Sequence, residues 1–133
     1  MNVNAKDSNG YTALMRASAD NNYDVVKLLV EKGADVNVKD NSGYTPLMVV
    51  SSKGDLAVAA FLIKKDADVN ARNNVGETAL MMAALHGDFE MAQLLIKKGA
   101  DVNAKSDDGN TALKYSFLVT RMSELLRKTA ARK

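Results

Sequence analysis

The apolar positions of this chain fall in short clusters, two to a unit, with polar turns between them. Leu14 and Ala17 stand at i, i+3 spacing, which predicts a short helix over about 13–20. Asn21-Asn22 interrupts it, and Val25, Val26, Leu28, Leu29 and Val30 then crowd one side of a second helix over about 23–32. Gly33 follows where a left-handed C-cap belongs. The same reading places helices over about 46–52 and 56–65, then over 79–86 and 89–98.

One stretch shows how each unit begins. Asp40-Asn41-Ser42-Gly43 has the composition of a tight turn, with glycine supplying positive φ. Thr45 is an N-cap, since its hydroxyl can accept from an amide that the first helical turn leaves orphaned. Pro46 sits at the first helical position, where its missing N–H costs nothing, and Leu47 is the first residue to point inward. The pattern recurs with a period of 33 residues in Gly10, Gly43, Gly76 and Gly109. Thr12, Thr45, Thr78 and Thr111 keep the same step, as do Leu14, Leu47, Leu80 and Leu113. The pairs Val3-Asn4, Val36-Asn37, Val69-Asn70 and Val102-Asn103 follow it upstream, with Ala34-Asp35, Ala67-Asp68 and Ala100-Asp101. Several columns at one period define a repeat whose units bury their apolar faces against one another.

Gly43-Tyr44-Thr45-Pro46-Leu47, Gly76-Glu77-Thr78-Ala79-Leu80 and Lys98-Gly99-Ala100-Asp101-Val102-Asn103 resemble the ankyrin repeat, which has this period and a T-P-L-H-x-A signature. The resemblance runs in register over about 2–117 and implies an all-α repeat fold. It would be a solenoid of stacked helix–turn–helix units linked by β-hairpin-like loops. The expected division is one domain, 1–133, with repeats at about 3–35, 36–68, 69–101 and a degenerate 102–133. The signature histidine is replaced by Met15, Met48, Met81 and Lys114. Apolar packing thus stands in for a polar tie, and slightly looser helix starts are expected.

Other departures are local. Asp66 takes the C-cap place that glycine holds at 33 and 99, at a cost of up to about 1 kcal/mol. Arg16 and Ser18 occupy places taken later by Val49 and Ser51, then Met82 and Ala84, so the outer face of the first repeat reads as an end cap. In the fourth repeat Thr120 replaces the glycine of positions 54 and 87. Met122-Ser123-Glu124-Leu125-Leu126 then follows Met91-Ala92-Gln93-Leu94-Leu95 by only 31 residues. A tighter connection near Val119 to Arg121 is expected, followed by a polar closing helix in which Arg127 replaces Ile96.

The resemblance implies a partner protein bound on the concave side, across hairpin tips and first helices. Positions there that change from copy to copy are open to recognition. They are Tyr11; Lys39, Asn41, Ser42, Tyr44 and Lys53; Arg72, Asn74, Val75, Glu77, Leu85 and His86; and Asp108. Tyr11, Tyr44, Val75 and Leu85 are the candidate apolar anchors, tyrosine being a favoured hot-spot residue. The Asn of each Val-Asn pair, and Asp7 and Asp40, read instead as hairpin structure.

Composition changes this picture little. The chain is 47% hydrophobic and 26% charged, as ordinary globular proteins are. It has no cysteine, which removes disulfides and thiolate chemistry, and no apolar run of membrane-spanning length. The net charge of +2 is divided unevenly. Residues 121–133 hold five basic side chains against Glu124, a net of +4, leaving −2 over the first 120. A solvated basic tail on a near-neutral body argues against a nucleic-acid partner. The lone His86 excludes a histidine-rich metal site, Asp107-Asp108 lies in a solvated turn, and the phosphate-loop, nucleophile-elbow and EF-hand patterns do not occur. The expectation is a non-catalytic protein-interaction module, a scaffold, adaptor or inhibitor. It would act as a cytoplasmic monomer without cofactor, metal, nucleic acid or membrane. The alternative is nucleic-acid or small-molecule binding on the same scaffold. An opening at Asn2-Val3, inside a hairpin, also suits a piece of a longer protein.

Overall fold

Each Thr column residue starts a helix, as its chemistry predicts. In a computed structural model that describes residues 2–115 and 120–131, the Thr12 hydroxyl accepts from the Met15 amide at 3.3 Å. Thr45 does the same for Met48 at 3.3 Å, Thr78 for Met81 at 3.4 Å and Thr111 for Lys114 at 3.4 Å. The helices that follow are α1 (Ala13–Ala19), α3 (Pro46–Lys53), α5 (Ala79–Leu85) and α7 (Ala112–Tyr115). A second set is α2 (Tyr23–Glu31), α4 (Leu56–Lys64), α6 (Phe89–Lys97) and α8 (Thr120–Ala131). Asn22, Asp55 and Asp88 cap α2, α4 and α6 through their side-chain oxygens. A capping oxygen of this kind contributes about 1 kcal/mol.

The first helices pack in a row, α1 on α3, α3 on α5 and α5 on α7. The second helices form another row behind them, and each also packs on its own first helix. Among the described residues there are no strands. The core runs between the rows through Leu14, Leu47 and Leu80, each 1% exposed, with Val26, Leu62, Met91 and Leu95 behind. Burying one such side chain stabilises the fold by about 1.5–3 kcal/mol. Met15, Met48 and Met81 are likewise buried, so the place of the signature histidine is filled by packing.

Left-handed residues end or join the helices where the pattern predicts. Gly33 and Gly99 have φ of +95° and +100°, and Asp66 shares this conformation with φ +72°. Because Asp66 is exposed, Asp66→Gly should raise stability by about 0.5–1 kcal/mol. Urea unfolding would measure it, and an unchanged or lower midpoint would count against the strain.

Three expectations change. Ser18 is fully buried and donates to the Leu14 carbonyl at 2.7 Å, as Ser51 does to Leu47, so it belongs to the core. Arg16 alone of that pair is exposed, and its counterparts Val49 and Met82 are buried. Val25 and Leu28 are exposed although Val58 and Phe61, their counterparts, are buried: α4 packs on α2, where the Phe61 ring meets that of Tyr23. In the fourth repeat Thr120 and Arg121 already belong to α8, so the connection does not extend to them. Val119 and its three predecessors lie outside the described residues. Leu126 is buried and Arg127 is exposed.

Candidate functional site

The hairpin tips are built by one side chain each. Asp40 Oδ1 accepts from the amides of Ser42 and Tyr44, both at 2.9 Å, while its own amide donates to the Tyr44 carbonyl at 3.0 Å. Asp7 does this for Asn9 and Tyr11, and Asn73 for Val75 and Glu77. Ser106 makes the shorter version, its hydroxyl accepting from Asn110. The Asx bonds direct residues 11, 44 and 77 back toward the first helices.

Tips are also tied to one another. The Asn41 side chain donates to the Ser8 carbonyl at 3.0 Å, and its backbone amide to the Asn9 carbonyl at 3.0 Å. Asn74 repeats both bonds one unit on, to Asn41 at 2.9 Å and to Ser42 at 3.0 Å. Asp107 keeps the backbone bond, to Val75 at 2.9 Å. The approach is close enough to require glycine on the facing tip. A Cβ on Gly43, whose φ is +82°, would lie 2.5 Å from Asn74 Oδ1 and 2.7 Å from its amide nitrogen. A parallel row of cations links the same units, with Lys6 donating to the Lys39 carbonyl and Lys39 to that of Arg72. Arg72 continues the row to the Lys105 carbonyl.

Asn41, Asn74, Lys39 and Arg72 therefore carry inter-repeat bonds, although all four remain exposed. From sequence they read as free positions, yet each bonds a neighbouring repeat 33 residues away. Glu77 is engaged at both oxygens, accepting from Asn73 Nδ2 at 2.9 Å and from the Tyr115 hydroxyl at 3.1 Å. His86 caps α5, its Nδ1–H donating to the Met82 carbonyl at 2.8 Å. Val75 and Leu85 are 53% and 56% exposed, far above the core, and Asp108 is exposed on the fourth tip.

Tyr11, Ser42, Tyr44 and Lys53 do come together. They line a cleft of about 290 Å³ with Asp40, Val49 and Ser52, running from the first two tips to the last turn of α3. A neighbouring cleft of about 410 Å³ shares Tyr11, Asp40 and Ser42 and adds Asp7 and Arg16. There Arg16 lies over the Tyr11 ring at 5.9 Å and pairs with Asp7 at 3.5 Å. Partial burial raises both phenol pKa values above 10; Asp40 adds to this at Tyr11, and Glu77 then Asp40 at Tyr44. In the sequence Asp40 reads only as a turn residue. Its place in the cleft follows from the packing of two tips.

Among the described residues, no group of three or more His, Cys, Asp or Glu could hold a metal ion. No described helix is long and apolar enough to cross a membrane.

Known proteins place the fold in a family. The profile described as "Ankyrin repeats (3 copies)" matches residues 1–73, and that described as "Ankyrin repeats (many copies)" matches residues 62–116. A Fowlpox virus (strain NVSL) protein, FPV034, named as an ankyrin repeat protein, is 53% identical over 36 residues. That stretch is 27% of this chain and 9% of the viral protein, so the likeness concerns a small part of the relative's length. Ankyrin repeats are generally protein–protein interaction modules and typically non-catalytic. With its 33-residue period, Thr-capped first helices and tied hairpin tips, the chain belongs to the ankyrin repeat family.

Proposed function

We propose that the chain is a non-catalytic interaction module that takes a partner protein across its hairpin tips and first helices. It would act as one domain of four repeats, as a cytoplasmic monomer serving as scaffold, adaptor or inhibitor. The observation that carries this reading is the Tyr11–Tyr44 cleft, in which two half-buried aromatic rings flank polar side chains at the junction of two tips. Aromatic anchors beside satisfied polar groups are the usual composition of a protein contact with few dominant residues. Leu85 and Val75, exposed on the third repeat, extend the apolar contact beyond the cleft.

Affinity capture from the source cell, with the chain as bait, tests this. The triple variant Tyr11→Ala, Tyr44→Ala, Leu85→Ala should lose each specific partner by at least about tenfold, on the scale of one hot-spot residue. The three side chains are half-buried or exposed, so the fold should persist by circular dichroism. Undiminished capture of every partner by the folded variant would refute the proposal.

A further inference from the structure

The first two repeats differ in one respect that bears on what the cleft accepts. In repeat one, Asp7 uses Oδ1 to hold its tip, and its Oδ2 pairs with Arg16, whose guanidinium lies over the Tyr11 ring. Carboxylate, ring and cation form a closed set within the chain. In repeat two, Asp40 holds its tip through the same Oδ1 bonds and precedes Tyr44 by the same four residues. The position of Arg16 is taken by Val49, which is 8% exposed and carries no charge. The carboxylate and ring are thus repeated without the cation, and both line an open cleft.

Resting on the protein-binding reading above, we infer that the partner segment in this cleft presents an arginine or lysine side chain to the Tyr44 ring and the Asp40 carboxylate. Charge complementarity selects the occupant. The acidic groups acting on the two tyrosines are Asp40, Asp7, Asp20 and Glu77. Of the basic groups, Arg16 is already engaged by Asp7 and Tyr11, and Lys53 lines the cleft at the last turn of α3. The cationic residue therefore belongs at the hairpin end, with Lys53 opposing a second cation at the helix end. Ser42 and Ser52 supply polar contacts between the two ends. A ring and a carboxylate together favour a guanidinium, which can stack and hydrogen-bond at once.

Asp40→Asn separates charge from structure, because Asn73 already makes the same two tip bonds in repeat three. Random linear peptides displayed on phage, selected on the full chain and sorted by loss of binding to Tyr44→Ala, report on this cleft. The expected result is an arginine or lysine at one fixed position in the Tyr44-dependent peptides, with affinity about 3- to 10-fold weaker for Asp40→Asn at an unchanged melting temperature. Tyr44-dependent peptides that lack a basic residue, or that bind Asp40→Asn equally well, would overturn the inference and leave the interaction reading standing. Selection that yields no Tyr44-dependent peptide would overturn both.

Discussion

Leu47→Ala is expected to lower the unfolding free energy by about 2–5 kcal/mol, the range for removing a buried leucine side chain. Leu47 is 1% exposed, and its helix packs on α1, α4 and α5. A cavity there is felt by three repeats at once, since stability in a stacked array is a sum of units and their interfaces. Against a total of roughly 5–15 kcal/mol, such a loss is a large fraction of the whole. Leu28→Ala removes the same atoms from a site that is 50% exposed and should cost less than about 1 kcal/mol. Urea denaturation of the two variants beside the parent chain measures the contrast. Equal midpoints would mean that α3 is not the centre of the stack.

Gly43→Ala is the second large effect, and Gly109→Ala is its control. Both glycines are left-handed, with φ of +82° and +80°, so either substitution incurs about 1–2 kcal/mol of backbone strain. Only at Gly43 does the new methyl group meet a neighbour. Its contacts are the Asn74 side-chain oxygen at 2.5 Å, the Asn74 amide nitrogen at 2.7 Å and Asn73 Cα at 3.0 Å. Rotating Asn74 relieves the first contact, whereas the other two are backbone and require the tips to separate. A further ~1–3 kcal/mol is expected, as for overpacking elsewhere. At Gly109 nothing lies within 4 Å, and the strain stands alone. Thermal melts that displace the two variants equally would show that the tips are not in close contact.

What was readable in the sequence depended on how local its cause is. Thr12, Thr45 and Thr78 start helices by bonding an amide three residues on, so the pattern lies within one short window. The apolar rows were readable for the same reason, except at the end of the stack. Val25 and Val58 occupy equivalent places in the period, and only the packing shows that one is exposed and the other buried. The candidate site was harder. The column of Asn41 and Asn74 changes in the outer copies, to Ser8 and Asp107, in the way contact positions do, yet each asparagine bonds the tip before it, 33 residues away in sequence. Glu77 reads as a free acid until Tyr115 is placed 3.1 Å from it. Ser18 reads as a polar surface residue, although its hydroxyl is satisfied by the carbonyl one helical turn earlier. Tyr11 and Tyr44 were readable as separate anchors, whereas their shared cleft and the place of Asp40 in it needed two packed tips.

The bonds between tips also grade the stiffness of the surface they support. The first two junctions carry a side-chain and a backbone bond each, from Asn41 and from Asn74. At the third, Asp107 has no amide hydrogens on its side chain to donate, so the backbone bond is joined only by the Arg72 side chain on the Lys105 carbonyl. Tips one to three are thus joined by one more side-chain bond per junction than tip four is to tip three. An occupant of the first three tips meets loops whose ordering was completed during folding, so little entropy is lost in their immobilisation on binding. Discrimination among occupants would then appear mainly in how long each stays, with similar rates of arrival.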